Sequence, residues 1–142
     1  MKRYYIAYGS NLSESQMAYR CPTAKVVGTS TLKDWRLLFD GPASIEKCKG
    51  YKVPVLIWEI QPADEKALDR YEGYPNYYRK EMIEVEVNGE KLDAMVYIMN
   101  TDKESTPSTY YFNILLQGYK RFGFNMNILK RALTESGIGK WN

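Results

Sequence analysis

Histidine is absent from all 142 residues. That excludes a Ser-His or Cys-His nucleophile pair and a zinc centre ligated by imidazole. Acid–base chemistry then falls to Asp, Glu, Lys, Tyr or Cys. Cysteine is scarce too: Cys21 and Cys48 are the only two. Two can make one bridge, but a chain of this size needs none, so reduced thiols and a cytoplasmic protein are expected. No apolar run approaches the roughly 20 residues of a membrane span. The opening MKRYYIAYGSN passes from two basic residues straight into strand-like sequence, without the apolar region and cleavage site of a signal peptide. Charge of one sign is also lacking. The 20 basic and 17 acidic residues leave a net +3 spread along the chain, too mild a balance to argue for nucleic acid. Repeats, low-complexity tracts and linkers are absent, so one domain over 1–142 is expected, long enough to bury its own core.

What is present is a succession of strands and short helices. RYYIAY at 3–8 is aromatic and β-branched and reads as a strand, broken by Gly9-Ser10-Asn11. Ser13 to Gln16 has the spacing of a capping box and opens a helix through Arg20, stopped by Pro22. Val26–Thr31 and Trp35–Phe39 read as two further strands. VPVLIWEI at 53–60 is apolar on both faces and reads as a buried strand in which Pro54 needs a bulge or an edge. Pro62 suits the first turn of a helix over Ala63–Tyr71, with Gly73 as its C-terminal cap. MIEVEV at 82–87, Asn88-Gly89 and KLDAMVYIM at 91–99 form a hairpin on a type I′ turn, placing Glu86 opposite Lys91. A tyrosine-rich helix follows Pro107 and runs to about Phe122 before Gly123, and a last helix spans Asn125–Ser136 and ends at Gly137. Beyond it Ile138 and Trp141 are apolar and would dock on this domain or on a partner. The pattern predicts an α+β fold with a curved or closed sheet.

Three features are candidates for chemistry. At Tyr8-Gly9-Ser10-Asn11-Leu12 a strand ends, a glycine turns the chain and a helix begins. Such a junction presents backbone N–H groups that bind anions, although it also serves as an ordinary capped turn. It lacks the spacing of a phosphate-binding Walker loop. Glu72 sits at the negative end of a helix dipole, a poor place for an anion. Ordinarily a helix-end glutamate is solvated. Here Tyr71, Tyr74, Tyr77 and Tyr78 are positioned to cover it, and dipole and desolvation together would raise its pKa toward that of a usable general base and acid. The 13 tyrosines are mostly amphipathic core and surface residues. As a stacking platform for bases they lack the pattern of an RNA-binding sheet.

In this order these residues resemble the γ-glutamylcyclotransferase family. YIAYGSNLSESQM is similar to its opening strand and Tyr-Gly-Ser-Asn-Leu loop. VLIWEIQPADEKALDRYEGYPNYYRKEMIEVEV is similar to its central strand, helix and Leu-Asp-x-x-Glu-Gly signature, here Leu68, Asp69, Glu72 and Gly73. VYIMN and TPSTYYFNILLQG resemble its next strand and Pro-Ser-x-x-Tyr helix start. The likeness covers roughly residues 3–123. It implies a small mixed β-barrel-like sheet with peripheral helices, and a pocket between the Gly-Ser-Asn loop and the glutamate. It also implies cyclisation of a γ-glutamyl amide to 5-oxoproline with release of the amine. Glu72 would be catalytic, with Tyr8, Gly9, Ser10, Asn11, Leu12, Tyr78 and Tyr111 binding substrate. Tyr77 and Tyr110 are the neighbouring alternatives to the last two.

That reaction suits the composition. The substrate supplies both nucleophile and electrophile, so the protein needs only to hold the attack geometry and move protons, with no metal or cofactor. The segment ASIEKCKGYKVPV departs from the family pattern. It carries Glu46, Lys47, Lys49 and Lys52, and is expected to border the leaving-amine side of the pocket. The partner implied is a small γ-glutamyl molecule, not nucleic acid or membrane, bound by a monomer or homodimer. A specialised γ-glutamylamine cyclotransferase acting on a γ-glutamyl-lysine or a γ-glutamyl-protected metabolite would use the same residues. A non-catalytic binding module on the same fold is the alternative of a different class.

Overall fold

The computed structural model describes residues 2–139. In chain order the elements are β1 (Arg3–Ala7), a 3-10 turn (Ser10–Leu12), α1 (Glu14–Arg20), β2 (Lys25–Phe39), β3 (Ala43–Ile60), α2 (Pro62–Glu72), β4 (Tyr78–Val87), β5 (Glu90–Met99), α3 (Thr109–Phe122) and α4 (Met126–Gly139). The fold is α+β. The strands form one sheet in the order β2-β3-β1-β5-β4, with β1 antiparallel to β3 and parallel to β5. The expected closure into a barrel does not occur. Where the outer strands β2 and β4 approach, side chains rather than a backbone ladder join them: Ser30 Oγ donates to the Glu86 carbonyl, and Asn88 Nδ2 to that of Val27.

Short-range signals place most elements. The Ser13 hydroxyl accepts the Gln16 N–H and caps α1. Gln61 and Asp64 make a reciprocal capping box at the start of α2. Gly73 ends α2 in the left-handed region at φ 63°. Asn88 and Gly89 both take positive φ, as a type I′ turn requires, and Glu86 pairs with Lys91.

The long β2–β3 hairpin differs from expectation. Residues 26–31 and 35–39 belong to one strand, interrupted by an irregularity between Lys33 and Trp35. There Asp34 adopts φ 64° and its carboxylate accepts the Gly50 N–H at 3.0 Å. Residues 43–52 continue β3 and pair with the end of β2. Their exposed Glu46, Lys47 and Lys49 give no apolar alternation to read. Pro54 pairs with Thr31 and lies two positions before Leu56, the first residue of β3 paired with β1. It therefore sits where β3 is locally an edge.

The core lies between the sheet and the helices, with Ile6, Leu56, Ile57, Leu68, Met95, Leu115, Tyr119 and Leu129 fully enclosed. α3 packs on the 3-10 turn through Gly118, where an added Cβ would stand 2.7 Å from Leu12 Cβ. A helix that close to another backbone requires glycine. α4 packs on β2 and runs beyond the expected end at Gly137. Ile138 is 57% exposed, and Trp141 lies outside the described residues.

Candidate active site

A cavity of about 240 Å³ opens where the end of β1, the 3-10 turn and the end of α2 meet. It brings together Tyr8, Gly9, Ser10, Asn11, Glu72, Tyr78 and Tyr111, residues that lie far apart in the chain. Leu12 does not line it. Its side chain is buried against Gly118, and its N–H donates to the Gly9 carbonyl at 3.0 Å, closing the turn. Tyr78 is buried and donates its hydroxyl to the Ala43 carbonyl at 2.9 Å. Tyr77 also lines the cavity but is 51% exposed, at its rim. In α3 it is Tyr111 that reaches inside, accepting the Ala43 N–H at 3.0 Å, while Tyr110 is 77% exposed and outside.

Glu72 is the last residue of α2 and, among the described residues that line the cavity, the only carboxylic acid. Burial pushes its pKa up to about 7, opposed by the positive charge of Arg20. Among the described residues no hydrogen bond to its carboxyl is found, so its proton is not committed to a protein partner. The surrounding phenols of Tyr5, Tyr8, Tyr78 and Tyr111 are held above the ordinary tyrosine range, first by burial, with the Glu72 charge adding to it. They remain neutral hydroxyls through the physiological range. Desolvation by this wall is the first cause of the raised pKa of Glu72.

A polar network fixes α2 against the sheet. Tyr97 donates to Asp69 at 2.6 Å, and Lys80 bridges Asp69 at 2.8 Å and Glu65 at 2.6 Å. Arg3 grips Glu65 through two bonds of 2.9 and 3.0 Å. Tyr74, expected over Glu72, packs instead against Lys80 and Tyr97. The charged residues expected at the leaving-amine side are not there: of that segment only Ala43 lines the cavity, beside Pro42, and Glu46, Lys47, Lys49 and Lys52 are exposed along the hairpin.

Tyr5, Ile6 and Tyr97 are lining residues that sequence reasoning missed. Tyr97 had a signal, as the one phenol in the otherwise apolar run from Ala94 to Met99, since a buried phenol needs a partner. Pro42 and Ala43 had none, because a long-range hairpin delivers them.

Comparison with known proteins agrees with this fold. Residues 5–114 match the gamma-glutamyl cyclotransferase, AIG2-like family, and the chain belongs to that family. It is 26% identical over 141 residues to a Bos taurus gamma-glutamylcyclotransferase, covering 89% of this chain and 75% of the relative. To the Homo sapiens gamma-glutamylcyclotransferase it is 28% identical over 134 residues, covering 84% and 71%. Among solved structures, one described as gamma-glutamyl cyclotransferase superimposes with a TM-score of 0.82 at 23% identity, over 93% of this chain and 86% of that one. An uncharacterised human protein superimposes at 0.81 with 24% identity, over 92% and 86%. These last two likenesses speak to the fold.

Proposed function

We propose that this chain cyclises a γ-glutamyl amide to 5-oxoproline and releases the amine, with Glu72 transferring the proton. The observation that carries the reading is the carboxyl of Glu72, raised to about 7 by burial and facing a cavity it shares with Gly9, Ser10 and Asn11. In the reaction the substrate's α-ammonium gives a proton to Glu72. The freed amine attacks the γ-carbonyl carbon, the ring C–N bond forms and the bond to the leaving nitrogen breaks. Glu72 returns the proton to that nitrogen, then relays the second proton that the ring nitrogen sheds on becoming an amide, so the amine departs as its ammonium. Atoms balance without water, and one carboxyl serves as base and then acid because its pKa lies near neutral pH. Ring closure is intramolecular, so most of the catalytic task is to hold a folded conformer. Gly9, Ser10, Asn11, Tyr8, Tyr78 and Tyr111 are the groups in place to hold it, and Leu12 supports them from behind.

The charge of the wall favours one kind of leaving group. Among the described residues that line the cavity, none is a lysine or arginine. A departing amino acid would bring a carboxylate with no cation to receive it, whereas an uncharged amine side chain carries no such cost.

The test is to incubate the protein with γ-glutamyl amides in 18O-labelled water. Equal amounts of 5-oxoproline and amine, both free of label, are expected, with amine-type leaving groups turned over faster than amino acids. Labelled glutamate would show hydrolysis and defeat the reading. Well-folded protein silent across the panel would point to a binding module.

A further inference from the structure

Arg20 lies outside the cavity yet touches two of its walls. Its guanidinium carbon stands 3.5 Å from the centre of the Tyr71 ring, beside Glu72. One of its nitrogens donates to Asn11 Oδ1, and another to Gln16 Oε1 at 3.4 Å. Asn11 in turn donates to the Tyr5 hydroxyl at 2.9 Å, and the Tyr71 hydroxyl meets Ser10 Oγ at 2.9 Å. One side chain from the end of α1 thus ties the 3-10 turn to the last turn of α2.

Resting on the function proposed above, we propose that Arg20 is a positioning residue for Glu72: it braces Asn11 and Tyr71 from behind and sets a fixed positive charge against the carboxyl. The groups facing Glu72 are Tyr5 from β1, Tyr8 just after it, Tyr78 from β4 and Tyr111 from α3, all neutral phenols, together with Tyr71 and Tyr77 at the rim. Among the described residues Arg20 is the one full charge acting on it. Arginine suits the place because its planar fork can stack on a ring and hydrogen-bond at its edge together, which an ammonium cannot. Burial alone would drive Glu72 further toward the permanently protonated acid. The cation holds it where it can both accept and release a proton.

Two readouts test this separately from turnover. In 13C NMR of the Glu72 carboxyl, without substrate, Arg20→Gln is expected to move the titration to higher pH, while Arg20→Lys keeps it near wild type. In kcat/KM profiles the acid limb of Arg20→Gln should move in step, and Arg20→Lys should raise KM because the stack and the Asn11 bond are lost. Arg20→Met substitutes if Arg20→Gln does not fold. An unmoved titration in the neutral variants overturns the proposal, as does an equal shift in Arg20→Lys. If wild type makes no 5-oxoproline, the functional reading fails while the titration still decides the role of Arg20.

Discussion

Gly118→Ala sets two terms of opposite sign against each other. Alanine in a helix interior is favoured over glycine by about 1 kcal/mol. Against that, the new methyl would lie 2.7 Å from Leu12 Cβ, well inside the ~3.5–4.0 Å at which carbon atoms attract. Leu12 cannot swing aside: its side chain is 1% exposed and its N–H is bonded to Gly9. Overpacking of this kind costs about 1–3 kcal/mol, and a contact this short belongs in the upper half of that range, so after the helix gain we expect a net loss of about 1–2 kcal/mol. Near the scale of about 4 °C per kcal/mol for a domain of this size, Tm should fall by about 4–8 °C. The displaced turn carries Ser10 and Asn11, so KM should rise as well. Gly137→Ala is the control, since its nearest neighbour is Thr106 Oγ1 at 4.0 Å; it should gain up to about 0.5 kcal/mol near its helix end. Urea and thermal melts of both variants decide it. A Gly118→Ala protein as stable as Gly137→Ala would refute the close packing of α3 on the turn.

Tyr119 is fully enclosed and its hydroxyl finds no partner among the described residues. Tyr119→Phe should therefore raise stability by about 1 kcal/mol in a urea melt, and a loss would show the hydroxyl to be bonded. Glu72 should weaken the fold as pH rises. Its pKa is raised from 4.5 to about 7, so the unfolded chain ionises first and wild type loses stability between those values, by about 2 kcal/mol after allowance for partial exposure. Glu72→Gln should accordingly be more stable than wild type at pH 8, with the difference fading toward pH 4; melts that diverge on acidification instead would contradict the burial of this carboxyl.

Much of this was legible because its determinants are local. Asn88-Gly89 dictates a turn by its φ preferences, Gly73 caps α2 and so fixes where Glu72 sits, and Ser13 starts α1. The strand over 43–52 was not legible. It is an arm with charged residues on exposed faces, held by pairing to β2 rather than by a buried face, so no periodicity marks it. The same long-range pairing brings Ala43 to Tyr78 and Tyr111, which no short-range pattern foretells. Openness of the sheet was equally hidden, since strand order depends on how β1 inserts between β3 and β5. Tyr74 shows the limit of neighbourhood arguments: two residues from Glu72, it turns to Lys80 instead.

The most direct measurement is 5-oxoproline release by Glu72→Gln beside wild type, on the best γ-glutamyl amide, with both proteins shown to be folded. Glu72→Gln should lose about 10²–10⁴-fold in kcat, the scale of a lost general acid–base group, with a melting curve at least as stable as wild type. Turnover at the wild-type rate by folded Glu72→Gln would contradict it.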